Sequence, residues 1–166
     1  SLEDVYRKFL NVDKNNHKAK KLEAFGVTGE EPLQEFEKLL GHSNPKVRYR
    51  ACRLFWKKNK AKVQPILLEM LAGNKQQQQE ALHVIGQIKD KSFTTHVLAL
   101  LDQREILTKN HAVIALAKLG NETIITQLVK LLLDHETVAF VLEHIAEFDQ
   151  KILHLLQERI HHLSLY

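Results

Sequence analysis

Cysteine is almost absent from this chain of 166 residues: Cys52 is the only one. A single thiol excludes an internal disulfide framework and fits a reducing compartment, so a cytoplasmic setting is expected. Glycine (6) and proline (3) are scarce, and the β-branched and aromatic residues do not fall into alternating runs. Sparse punctuation without a period of two argues against a sheet and for helices. No apolar run approaches the length needed to cross a bilayer. The opening SLEDVYRKFLNVDK has no apolar h-region and no small-residue cleavage site, so it does not read as a signal peptide. A first residue Ser1 rather than Met points to a piece of a longer protein. Catalytic signatures are missing as well: there is no phosphate-cradling Gly-rich loop, no nucleophile elbow and no zinc-protease helix.

What is present is globular in composition, with 44% hydrophobic and 27% charged residues. The charge is unevenly placed. Residues 1–60 hold 14 Lys and Arg against 8 Asp and Glu, a net +6, whereas residues 61–166 hold 10 against 12, a net −2. The positive field therefore belongs to one end of the chain, which bears more on its partners than the overall +4 does.

The chain repeats itself. FEKLLGHSNPKVRYRACRLFWKKN, LLEMLAGNKQQQQEALHVIGQIKD, VLALLDQREILTKNHAVIALAKLGN and LVKLLLDHETVAFVLEHIAEFDQ each read as a leucine-rich helix, a short polar break and a second helix. The second helix is anchored at Ala51, Ala81, Ala112 and Val141, spaced by 30, 31 and 29 residues. Three and four places on come Leu54 and Phe55, Val84 and Ile85, Ala115 and Leu116, then His144 and Ile145, the positions that share one helical face. His144 breaks the apolar pattern. Gly41, Ser43, Asn44 and Pro45 supply one break, with Pro45 at a first helical position, and Gly73-Asn74 and Gly120-Asn121 supply others. Pro65 is expected near the start of a first helix. LEDVYRKFL and HKAKKLEAFG read as a degenerate earlier pair, with Leu22 and Phe25 inward. KILHLLQERIHHLSL reads as a capping helix with Ile152, Leu155, Leu156, Ile160 and Leu163 as its apolar stripe.

Val47-Arg48-Tyr49-Arg50-Ala51-Cys52-Arg53-Leu54, following a leucine-rich helix and a turn, resembles the second helix of a HEAT repeat. The resemblance runs over residues 31–150 and loosely beyond. It implies an all-α, right-handed alpha-alpha superhelix of about 4–5 antiparallel helix pairs. It also implies a single domain over 1–166, with units at 1–29, 30–60, 61–90, 91–120 and 121–150 and a capping helix at 151–166. In such solenoids the second helices line the concave face, where partners bind; the family otherwise fixes no single function.

The helix Asn44–Lys60 stands out from its siblings. It holds Lys46, Arg48, Arg50, Arg53, Lys57, Lys58 and Lys60, seven basic residues and no acid. Val47, Ala51, Leu54 and Phe55 are expected in the core. Tyr49, Arg53, Trp56 and Lys60 would form an outer stripe, with Lys46, Arg50 and Lys57 beside it. Trp56 takes the place held by Gly86, Ala117 and Ala146 in later units. It reads either as an exposed anchor, the residue type of binding hot spots, or as packing against a neighbouring helix. Lys46, Arg48, Tyr49, Arg50, Arg53, Trp56 and Lys57 are the expected partner-binding residues. Arginine forks would pair carboxylates, and the aromatics would supply buried area. The later inner faces, with Gln79, His83, Gln87, Asn110, Lys118, Glu143 and Glu147, drift from neutral to acidic.

Other features carry less. Gln76-Gln77-Gln78-Gln79 is too short for low complexity and reads as an exposed first turn. His154, Glu158 and His161 share a face but lack a fourth ligand, so neither a metal nor any cofactor is expected. One His-Glu dipeptide, His135-Glu136, is too little for the iron site of the HEAT-like deoxyhypusine hydroxylases. HEAT-like alkylpurine DNA glycosylases pair a basic, aromatic face with a catalytic acid, and no convincing carboxylate stands near Trp56 and Arg53. Nothing selects the phycobilin lyases. Cys52 sits in the buried register and reads as inert. The expected function is non-catalytic binding of a protein or peptide with an acidic segment by a monomeric scaffold. Nucleic-acid binding through phosphate contacts from the same helix is the alternative.

Overall fold

Asparagine side chains begin three successive helices, and the computed structural model describes them within residues 37–164. Asn44 accepts from the backbone N–H of Lys46 and starts α1 (Pro45–Phe55), with Pro45 at the first position as expected. Asn59 accepts from Lys62 and starts α2 (Lys60–Leu71). Asn74 accepts from Gln77, whose side chain reaches back to the Asn74 N–H, a reciprocal capping box that starts α3 (Lys75–Ile88). Then follow α4 (Thr94–Leu98), α5 (Ile106–Leu119), α6 (Ile125–Leu133), α7 (Val138–His144) and α8 (Gln150–Ser164), with short 3-10 turns between them. The described residues are all-helical and contain no strand.

The chain divides into two compact units, Ser1–Ala72 and Gly73–Tyr166. In the first, α1 packs on the 3-10 turn Lys38–Gly41 and on α2. Leu39, Val47, Ala51, Cys52, Phe55, Val63 and Leu67 are almost wholly buried there. Leu54, expected in the core, is only half-buried. α2 begins earlier than expected, so Pro65 lies inside the helix and not near its start. The proline removes one backbone donor without ending the helix.

In the second unit α5 is the hub, packed against α3, α4, α6 and the turns Ala99–Asp102 and Glu122–Ile124. Every residue from Ala112 to Leu119 is buried. A helix apolar on all sides must be enclosed. Its C-terminus closes on Gly120 at φ 80, a left-handed conformation that glycine adopts without a Cβ penalty. A Cβ at Gly120 would also stand 3.0 Å from Cγ of Asp149. The Asp149 N–H donates to the Ala117 carbonyl at 3.2 Å, so the segment after α7 is pinned to the end of α5.

The repeat anchors Ala51, Ala81, Ala112 and Val141 are all 0% exposed, as their spacing predicts. In α8, packed on α6, Ile152 and Leu156 are buried. Ile160 and Leu163 are instead exposed by 45% and 47%, so the expected stripe is covered only along its first half. The Gln76–Gln79 run does form the first turn of α3, but Gln78 is buried and Gln77 serves the cap. The expected helices at LEDVYRKFL and HKAKKLEAFG lie outside the described residues. No helix among the described residues is long and apolar enough to cross a membrane.

Candidate functional site

Most of the basic helix α1 is committed to its own fold. Arg48 Nη1 donates to the carbonyl of His42 at 2.7 Å and of Ser43 at 3.2 Å, so its fork fastens the turn that precedes the helix. Tyr49, Arg50 and Arg53 are half-buried, and burial lowers the Arg53 pKa from its ordinary value. Trp56 corrects the exposed-anchor expectation: it is 6% exposed. Lys60 Nζ, at the start of the helix that follows, lies over its ring, 5.4 Å from the centroid. A tryptophan at a small-residue position here serves packing.

The remainder of the basic set faces solvent. Lys46, Lys57 and Lys58 are exposed, and no ion pair engages them among the described residues. Lys62 pairs with Glu37 at 3.0 Å. Between Lys38 and Leu68 there is no Asp or Glu at all. Cys52, in the same helix, is buried; loss of solvent around it pushes its thiol up to about 12, which keeps it protonated and inert as expected.

A second constellation forms in the other unit. In the buried run Ala112–Leu119, Lys118 is the only charged residue, and its side chain is 2% exposed. The inner-face assignment missed this burial: the stem lies over α3, where Gly86 leaves room for it. A Cβ at Gly86 would be 2.8 Å from Lys118 Cδ. The ammonium meets Glu147 Oε2 at 2.7 Å and His144 Nδ1 at 3.0 Å. Because an ammonium only donates, His144 Nδ1 accepts, and the neutral ring carries its proton on Nε2. The pair with Lys118 holds the Glu147 carboxyl below its ordinary range.

The rings gather around this node. Phe140 lies edge-on between His111 and His144, with centroids at 4.9 and 5.3 Å, and His83 lies 6.4 Å from His144. His83, His111, Lys118 and His144 line a small cavity of about 10 Å³, closed on its apolar side by Leu82, Ile114 and Ala115. Burial first, then the charges of His144, His83 and Lys118, push His111 from 6.5 down to about 4. Burial and Lys118 also lower His144. Asn110, expected beside His83 and Lys118, instead lines a separate concavity of about 290 Å³ with Leu101, Lys109, Val113 and Lys130.

Sequence reasoning named His83, Lys118 and Glu147 but passed over His111 and treated His144 as a flaw in the repeat. The break in apolar register at His144 was the available signal. The face His154, Glu158, His161 yields one exposed pair, His154 Nε2 to Glu158 Oε1 at 3.1 Å. No group of three or more potential metal ligands is assembled among the described residues. Comparison with family models, curated proteins and solved structures gives no match for this chain.

Proposed function

We propose that the chain is a non-catalytic binding scaffold, a HEAT-like solenoid that holds an acidic segment of a protein partner against the α1 end. The observation that carries this reading is the exposed positive charge at the ends of α1 and in the turn after it. Lys46, Lys57 and Lys58 project to solvent from a stretch without a single carboxylate between Lys38 and Leu68. Exposed lysines on flexible stems act as point charges that steer an oppositely charged partner and set its orientation. With Trp56 buried and Arg48 spent on its turn, the partner-contacting set contracts to Lys46, Lys57 and Lys58 with the half-buried Tyr49 and Arg50 beside them.

The test is fluorescence anisotropy with a labelled glutamate-rich peptide, on the wild type and on K46E/K57E/K58E, whose substitutions lie on exposed positions. Binding weakened at least tenfold in the variant supports the reading; equal affinity overturns it. A DNA or RNA duplex, titrated in parallel at rising salt, separates the two partner classes. Tighter binding of the duplex, falling log-linearly with a slope of several, would assign the lysines to phosphates instead.

A further inference from the structure

We propose that the notch formed by His83, His111, Lys118 and His144 is a proton-coupled site for a carboxylate group. It lies wholly within the second unit and stands independently of the α1 surface.

Three features define the ligand. The lining groups on the polar side are all nitrogen bases or their conjugate cations, and no carboxylate lines the cavity. Lys118 donates to Nδ1 of His144, which leaves the Nε2–H of that ring as a donor of fixed tautomer. The cavity holds about one oxygen-sized group, which admits one oxygen of a carboxylate while the rest of the ligand stays outside.

The proton coupling follows from the charges around the notch. α3 contributes His83; α5 contributes His111 and Lys118; α7 contributes Glu143 and His144; and the turn Ile145–Glu147 contributes Glu147. Lys118 and Glu147 pair at 2.7 Å and offset one another. The charge of the notch is then set by its imidazoles, with Glu143 and Glu147 favouring the protonated form of His144 and Lys118 opposing it. In the free protein, burial first and then the charge of Lys118 favour the neutral forms of His111 and His144. A carboxylate in the notch reverses that balance, because an adjacent anion favours imidazolium; protonation of His144 at Nδ1 then gives up the bond from Lys118, whose ammonium keeps Glu147. Ordinary carboxylic acids, with pKa values of about 4, stay ionised while the imidazoles take up protons, so binding strengthens as pH falls from 7 towards 5.

The experiment is an NMR titration of the whole chain with histidine ring labels, between pH 5 and 7.5. It is run with sodium acetate, with a short acidic peptide, and with sodium chloride at matched ionic strength. The expected result is an upward shift of the His144 titration by about one pH unit with either carboxylate, equivalent to about tenfold tighter binding to the protonated form. Acetate alone producing the shift identifies a small free acid as sufficient; the peptide alone producing it identifies a chain-borne carboxylate. His144→Gln should remove most of the pH dependence of binding, with circular dichroism confirming that the protein stays folded. No shift with either carboxylate, an equal shift with chloride, or an unchanged pH dependence in H144Q overturns the proposal. Unmoved histidine titrations with a peptide that still binds in the anisotropy assay would overturn it while leaving the α1 reading intact.

Discussion

The stem of Lys118 crosses α3 at Gly86, and any β-carbon placed there would lie 2.8 Å from Lys118 Cδ. Gly86→Ala should therefore destabilise the second unit even though alanine is worth about 1 kcal/mol over glycine within a helix. The lysine is held by Glu147 and His144 and does not yield freely. In a Lys118→Ala background the same substitution should become neutral or stabilising. Chemical denaturation of the two single variants and the double variant measures the coupling, and additive effects would contradict it.

Acid should weaken the second unit through its histidines. His111 has its folded pKa lowered from 6.5 to about 4, so the folded state resists a proton that the unfolded state accepts. The associated stability is fully present above pH 6.5 and is lost as pH falls to about 4; His144, also lowered, acts in the same direction. After allowance for solvent screening around a half-buried ring, His111 accounts for about 2 kcal/mol. Melting temperatures of wild type and His111→Gln between pH 4 and 7.5 should converge towards the acid end, relative to their difference at pH 7.5. Parallel curves would exclude the assignment.

Trp56 is the only tryptophan, so its emission reports on the first unit alone. At 6% exposure it should emit at short wavelength and be quenched by iodide only after unfolding. Trp56→Ala should cost about 3–5 kcal/mol, the range for emptying a buried aromatic site. Lys60→Ala, which removes the cation over the ring, should cost about 1 kcal/mol or less.

Cys52 should resist thiol reagents in the native protein. Its thiol is buried and pushed up to about 12, so almost no thiolate exists at pH 8. Ellman's reagent should react with one thiol per chain in concentrated denaturant and at a negligible rate without it. Rapid native labelling would show that α1 opens locally.

Helix content and the core register were legible because they rest on local rules. The anchors Ala51, Ala81, Ala112 and Val141 are buried at the positions that a repeat of about thirty residues assigns. The caps at Asn44 and Asn74 and the left-handed close at Gly120 follow from residue chemistry alone. The fate of the long side chains was not legible. A helical wheel places Trp56, Arg48 and Lys118 on outer or inner stripes, but neighbouring segments decide whether water reaches them. Trp56 is covered, Arg48 turns back to two carbonyls, and Lys118 threads a gap whose only sequence mark is Gly86. His144 looked like an error in the repeat because its partner lies 26 residues away in the chain.

The asparagine caps of α1, α2 and α3 also bear on how the protein ages. Slow hydrolysis of a side-chain amide turns asparagine into aspartate, keeping the accepting oxygen and adding a negative charge. At Asn44, Asn59 and Asn74 that charge falls at a helix N-terminus, with Lys46, Lys60 and Lys62, and Lys75 in the following turns. Conversion to aspartate at these three positions should therefore tighten the helix starts and leave the fold intact, with the net charge lowered by one for each event.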